Sequence, residues 1–307
     1  MVNTVYGRGA TVIPGIMQTG KINVLAFIGS SKVANDLKKE HPKLNRLRAV
    51  LSLDAKNAAI VTENADLDLA VSENILGTLS YNGQRCTAIK IIFVHQSIAE
   101  AFTTKLSNAV AQLKYGMPWE KGVNLTPVAE PGKPAYLKEV IDDAIANGAR
   151  VVNENGGTHV ASFVYPAVVY PVNKNMRLYR EEQFGPVIPV VPFNDIEETI
   201  EYLIESPHGQ QVSIFSNDAT EVADLIDPLV NQVSRVNINS QCQRSPDVFP
   251  FTGRKDSAEG TLSVHDALRS FSIRSLVTTK LNDTNKQLLN EIVKEHRSDF
   301  LSTNFIL

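Results

Sequence analysis

Cysteine is scarce in this chain: Cys86 and Cys242 are the only two among 307 residues. So sparse a pair excludes a disulfide framework and fits a reducing compartment, so each thiol is weighed on its own as a nucleophile. Surplus positive charge is also missing. The 30 lysines and arginines stand against 33 acidic residues, a net charge of −3. That balance gives no footing for nucleic acid, and no like-charged run suggests a tail. Apolar runs long enough to span a bilayer are absent. The opening residues have neither the basic start nor the apolar stretch of a secretory leader. A cytoplasmic protein with no membrane or nucleic-acid partner is expected. No internal repeat, low-complexity segment or metal site is read from the sequence.

What is present suits a globular enzyme-sized chain. Hydrophobic residues make up 43% and charged residues 21%, enough apolar content for a sizeable core. The length implies one large or two modest domains. Strand signals at 24–28, 58–61, 89–94, 187–191, 212–215 and 233–238 alternate with helical stretches, which points to an α/β fold with a largely parallel sheet. Asp66 can cap a helix running to Leu79, with Val71, Ile75 and Leu79 on one face. Capping boxes are expected at Ser97 with Glu100, Asp195 with Glu198, and Asp218 with Glu221. Pro134 suits a first helical turn and Gly148 a helix stop. Residues 283–296 place Leu288, Leu289, Ile292 and Val293 on one face of a terminal helix. The tail 300–307 is apolar enough to dock on this chain or a neighbour.

Four segments have the composition of chemistry. Cys86 follows the Asn82-Gly83 turn signal, in Gly83-Gln84-Arg85-Cys86-Thr87 between a helix and a strand. A cysteine attacks as its thiolate, and a neighbouring cation such as Arg85 favours that form. The competing reading is a buried structural cysteine. Phe27-Ile28-Gly29-Ser30-Ser31 joins a strand to a helix start, where free amides can seat a phosphate. Glycine there also serves turn geometry alone. Arg180-Glu181-Glu182-Gln183-Phe184-Gly185-Pro186 pairs two carboxylates with Phe-Gly-Pro, and composition does not choose between a site and a solvated turn. In Gln243-Arg244-Ser245-Pro246, the arginine fork can bind phosphate or carboxylate, or simply sit at the surface.

In order and spacing, these segments resemble the aldehyde dehydrogenase superfamily. Gly83-Gln84-Arg85-Cys86 is similar to its nucleophile motif, Glu181-Glu182-Gln183-Phe184-Gly185-Pro186 to its Glu-Glu-x-Phe-Gly-Pro signature, and Phe27-Ile28-Gly29-Ser30-Ser31 to its cofactor turn. Pro250-Phe251-Thr252-Gly253 resembles a late family turn. Residues 81–90, Met176-Arg177-Leu178 and 237–251 bring the chain closest to the non-phosphorylating NADP-dependent glyceraldehyde-3-phosphate dehydrogenase branch. The resemblance implies a catalytic domain with a parallel sheet flanked by helices, plus a partial Rossmann-like cofactor domain. It implies residues 1–52 as the C-terminal part of the cofactor domain, 53–250 as the thiol domain, 251–280 as a return segment with an oligomerisation strand at 274–280, and 281–307 as a helical extension. It further implies Cys86 as nucleophile in the NAD(P)-dependent oxidation of an aldehyde, glyceraldehyde 3-phosphate in first place, through a thioester. Gly29 and Ser30 would lie by the pyrophosphate, Glu182 on the nicotinamide ribose and Phe184 near the ring. Arg85 and Arg244 would hold the substrate phosphate.

The chain departs from that pattern in ways that bear on activity. The family's Leu-Glu-Leu-Gly-Gly-Lys is Leu51-Ser52-Leu53-Asp54-Ala55-Lys56 here. Ser52 therefore stands at the general-base glutamate, and its hydroxyl cannot take a proton from water as a carboxylate does; such a base contributes roughly 10²–10⁴-fold. Asp54 and Ala55 replace both glycines, and Asp54 adds a negative charge near the place of a thiolate and a phosphate. The chain also begins within the cofactor domain, so an incomplete NADP or NAD site is expected. Candidate partners are an aldehyde and either a homo-oligomer or a complementary N-terminal chain. The alternative expectation is a catalytically impaired pseudoenzyme that serves as a binding or assembly module.

Overall fold

Four strands matter most for the site: β1 (Val24–Ile28), β2 (Arg48–Ser52), β3 (Asn57–Val61) and β4 (Ile89–His95). After its first residue β3 is wholly apolar, and β4 is nearly so apart from Lys90 and His95. Strands of that kind offer apolar side chains on both faces and suit a parallel sheet covered on each side. The computed structural model, which describes residues 2–301, places both at the centre of a seven-stranded sheet. Its order is Arg235–Ile238, Gln211–Phe215, β3, β4, Val187–Phe193, Ala167–Tyr170, Arg150–Val151. Every pairing is parallel except the last, which is antiparallel.

The two-residue period of a strand then sorts the core. Ala58, Ile60, Ile91 and Phe93 face one way, against Leu137, Val140 and Ile141 of the helix α5 (Lys133–Ala146). Ala59, Val61, Ile92 and Val94 face the other way. There they meet Val71 of α3 (Leu67–Leu79) and Phe102, Leu106 and Val110 of α4 (Ala99–Ala111). A second, smaller sheet pairs β1 parallel with β2, and Ala258–Glu259 antiparallel with β2. Helices α1 (Gly9–Gln18) and α2 (Ser31–Lys39) cover it through Met17, Ala34 and Leu37. This is the partial Rossmann-like element expected at the start of the chain.

Local signals hold in most places. Asp66 caps α3 by accepting from Asp68 and Leu69 amides. Asp218 caps Ala219–Leu229, and the Glu198 carboxylate reaches back to the Asn194 and Asp195 amides. Pro134 lies in the first turn of α5, and Gly148 follows its end at φ +100°. Two expectations fail. His95, not Ser97, is the acceptor before α4: its ring takes the Ser97 amide, and α4 starts from Ile98 with no side-chain cap. Glu221 does not reach back to the Asp218 amide, which goes to the Ser216 hydroxyl; its carboxylate takes the Thr62 and Ser216 hydroxyls instead. Residues 274–280 carry no strand within this one chain.

The chain divides into two compact units, Met1–Ser270 and Phe271–Leu307. The second contains the expected amphipathic helix, Asp283–Lys294. The apolar tail expected at 300–307 lies mostly outside the described residues. Among the described residues, no helix is long and apolar enough to cross a membrane.

Candidate active site

The thiol loop begins where α3 stops. Ser80–Gly83 turns the chain, with Tyr81, Asn82 and Gly83 all at positive φ (54°, 59° and 69°). Such a run is costly for side-chain-bearing residues and persists only where the surroundings fix it. Asn82 is fixed by exchanging hydrogen bonds with Thr126, donating to its hydroxyl at 3.1 Å and accepting its amide at 3.0 Å. Gly83 is required by space as well: a Cβ there would lie 2.6 Å from the Gly185 carbonyl oxygen and 2.7 Å from that of Thr78. The thiol loop thus touches the Phe184-Gly185 loop backbone to backbone.

Cys86 follows as a free, partly exposed thiol. Its carbonyl accepts from Asn57 Nδ2 at 2.8 Å. The same amide group reaches the Ala88 carbonyl at 3.1 Å, and Asn57 Oδ1 accepts the Gln211 amide at 3.0 Å. Cys242, the other thiol, is fully buried beside the Ser213 hydroxyl, and burial pushes it up to about 12. A cysteine held so far above neutrality has almost no thiolate, so Cys242 is no candidate nucleophile and the partly exposed Cys86 is left as the candidate.

Two buried lysines hold the 181–185 loop. Lys90, 1% exposed, donates from Nζ to the Gly83 carbonyl at 2.8 Å and the Gln183 carbonyl at 3.4 Å. It lies 3.8 Å from Glu182 Oε1 and 4.4 Å from the centre of the Phe184 ring. Desolvation lowers its pKa to about 8, against the opposing pull of Glu182 and Cys86. Lys56 donates to the Glu181 carbonyl at 2.6 Å and to Gln183 Oε1 at 2.5 Å. Burial, then the neighbouring Lys90 charge, hold Lys56 well below the usual lysine range. Gln183 completes the lock, donating to the Lys90 and Val187 carbonyls at 2.7 and 2.9 Å.

Glu182 is raised above the ordinary carboxylate range, first by burial, with Asp54 adding to the shift and Lys90 opposing it. Its Oε1 is buried with no hydrogen-bond partner, since Lys90 stands beyond hydrogen-bond length. Arg85 likewise has Nε and Nη2 buried and without acceptors, while its guanidinium lies 5.6 Å from the Tyr81 ring centre. An acceptor oxygen and a cationic fork without partners, both buried, are costly in a finished core and ordinary in a site that takes a ligand. Arg244 is placed differently. It is half exposed, 3.3 Å from Asp247 and stacked 5.2 Å over Phe251, and no described contact joins it to Arg85.

The expected general-base position and cofactor turn lie together. Ser52 ends β2, buried, and its carbonyl accepts the Gly29 amide at 3.2 Å. Ser30 caps α2, its hydroxyl accepting from Val33 at 3.3 Å. Asp54 Oδ2 accepts from both the amide and the hydroxyl of Ser31, at 2.7 and 2.6 Å. His208 stands beside Asp54 and Lys56; burial lowers its pKa, and its Nδ1 has no partner.

The aldehyde dehydrogenase family profile matches residues 1–277. The chain belongs to the aldehyde dehydrogenase family. Among similar proteins, the NADP-dependent glyceraldehyde-3-phosphate dehydrogenase of Streptococcus equinus is 35% identical over 279 residues, 91% of this chain and 56% of that protein. The enzyme of that name from Pisum sativum is 32% identical over 282 residues, 92% of this chain and 55% of that protein. The crystal structure of the Bacillus halodurans C-125 enzyme complexed with NADP superposes with a TM-score of 0.85 at 33% identity, covering 91% of this chain and 57% of that one. The chain thus spans about half the length of the curated relatives it matches. In this aldehyde dehydrogenase chain, sequence reasoning missed Asn57, Lys56, Lys90 and His208. For Lys90 the available signal was a lone charge inside the apolar run of β4; for Asn57 it was an amide opening an otherwise apolar strand.

Proposed function

We propose that this chain carries the thiol side of a dehydrogenase for phosphorylated aldehydes. The reaction is NAD(P)-dependent oxidation of the aldehyde, glyceraldehyde 3-phosphate in first place, to the acid through a thioester on Cys86. In this reading residues 1–52 are the cofactor-side part and 53–250 the thiol part. The observation that carries it is the placement of Arg85. Its buried, acceptor-free donors belong to the residue next to the partly exposed Cys86 in the chain, which suits an aldehyde with an anionic tail.

In the first step the Cys86 thiolate attacks the aldehyde carbon. A C–S bond forms, the carbonyl π pair moves to oxygen, and the oxygen takes a proton, giving a hemithioacetal with no redox change. The Asn57 amide holds the Cys86 carbonyl, and Lys90 ties Gly83 to Gln183, so the thiol is presented from a fixed turn. In the family reaction a bound nicotinamide supplies the hydride acceptor that converts such an adduct to a thioester. Ser52 supplies no base for hydrolysis, so a thioester here is long-lived.

For the dinucleotide, NADP or NAD, the donor set fits at one end and not at the other. The partnerless Glu182 Oε1 suits a ribose hydroxyl. The start of α2 does not suit a pyrophosphate, because a carboxylate already holds the Ser31 amide. That mismatch and Ser52 favour the second reading, a binding or assembly module derived from the enzyme.

Alkylation of Cys86 by iodoacetamide, read by peptide mass, separates the two readings. Glyceraldehyde 3-phosphate is expected to protect Cys86 at concentrations about tenfold lower than glyceraldehyde does, the weight of about one good charged contact. A folded chain whose Cys86 is labelled at the same rate with and without either aldehyde is no aldehyde-binding thiol, and the module reading stands.

A further inference from the structure

We infer that the Asp54 carboxylate is an internal occupant of the anion seat at the start of α2, and that it limits how well this chain takes a dinucleotide. The inference rests on the cofactor part of the reading above.

The geometry begins with backbone. The Gly29 amide binds the Ser52 carbonyl, so the segment leaving β2 lies against the first turn of α2. Two residues on, Asp54 Oδ2 takes both donors of Ser31, the amide at 2.7 Å and the hydroxyl at 2.6 Å. Ser30 takes the Val33 amide. Two of the three leading amides of α2 therefore have acceptors inside the chain. The helix does not need the second acceptor as a cap, because Ser30 already is one. What Asp54 adds is a negative charge at the positive end of the helix dipole, the charge a phosphate would otherwise bring.

The charge also reaches across the site. Asp54 helps to raise Glu182, the residue with the partnerless buried oxygen, and it faces His208. A dinucleotide lying from α2 to Glu182 has to displace Asp54 from Ser31 and then remain beside it. Both requirements weaken binding: the first loses a pair of charge-assisted hydrogen bonds, and the second sets like charges side by side. The family string has glycine at this position, which presents no side chain. One residue therefore decides whether the seat is open or self-filled.

Calorimetric titration of NADP into the full chain tests this on binding alone. Asp54→Gly is expected to bind NADP about tenfold more tightly than the wild type or better, equivalent to about 1.4 kcal/mol. Asp54→Asn, which keeps the shape and loses the charge, is expected between the two. Asp36→Asn, which removes an exposed negative charge further along α2, is expected to match the wild type. Equal affinities for wild type and Asp54→Gly, with both shown folded by circular dichroism, overturn the inference. So does an equal gain in Asp36→Asn, which would make the effect one of general charge. If Asp54→Gly fails to fold, a folded Asp54→Asn that shows no gain overturns it as well. A gain in NADP affinity without aldehyde protection of Cys86 keeps this inference and sinks the substrate reading. Protection of Cys86 without that gain does the reverse.

Discussion

A lysine held at 1% exposure survives in a core only because every direction of its ammonium group is answered. Lys90 has two carbonyls, one carboxylate and one aromatic face around it. Lys90→Met leaves those carbonyls and Glu182 unanswered, and removing one partner of a buried pair costs about 3–5 kcal/mol. The pH dependence has a definite sign. Lys90 has a pKa of about 8 when folded and 10.5 in its ordinary state. Between those values the unfolded chain binds more protons, so stability contributed at this site rises with pH. The wild type should therefore gain on Lys90→Met as pH rises from 8 to 10.5 in chemical denaturation, and a gap that shrinks would contradict the lowered pKa. Ser52 makes a separate prediction. After Cys86 is acylated with p-nitrophenyl acetate, Ser52→Glu should shorten the life of the acyl group by about 10²–10⁴-fold; an unchanged lifetime would mean that position 52 does not face the thioester. Cys86 was legible in the sequence because its neighbours in the chain form a specific string. Lys90 was not, because Gln183 lies 93 residues away and nothing local marks that encounter.

At the scale of elements, the turn between α3 and Cys86 sets the position of the thiol. Gly83→Ala combines φ +69° with a Cβ less than 3 Å from two carbonyl oxygens, so backbone must move. A loss of roughly 2–3 kcal/mol is expected, with a slower alkylation of Cys86 than of the denatured chain's thiols; a melting temperature equal to the wild type would show that the two loops do not touch. Strands and helices were readable where one period dominates, as in β3, β4 and α3. Their caps were less so. Ser97 lost its role because the helix starts after Ile98 with no side-chain cap while the Ser97 amide itself goes to the His95 ring, and Glu221 accepts from the Ser216 and Thr62 hydroxyls in place of the Asp218 amide. A capping pattern records which donors and acceptors are nearby in sequence, not which tertiary competitor arrives.

For the molecule as a whole, the boundary after Ser270 is the testable feature. A chain ending at Ser270 keeps both sheets and every residue of the candidate site. It should melt as one transition and alkylate at Cys86 as the longer chain does; loss of either would place part of the site's support in Phe271–Leu307. The fold class was visible in the alternation of elements, whereas strand order was not, since neighbours such as β3 and Gln211–Phe215 are set by tertiary packing. That neighbour relation has a consequence for how the protein is made. β3 can pair with β4 early, but its other edge stays unpaired until Gln211–Phe215 has left the ribosome. Parallel pairings between distant segments form slowly and leave apolar edges exposed meanwhile. During synthesis the half-built sheet is therefore a natural client for chaperones, and the centre of the finished core is the part of the nascent chain most prone to aggregate.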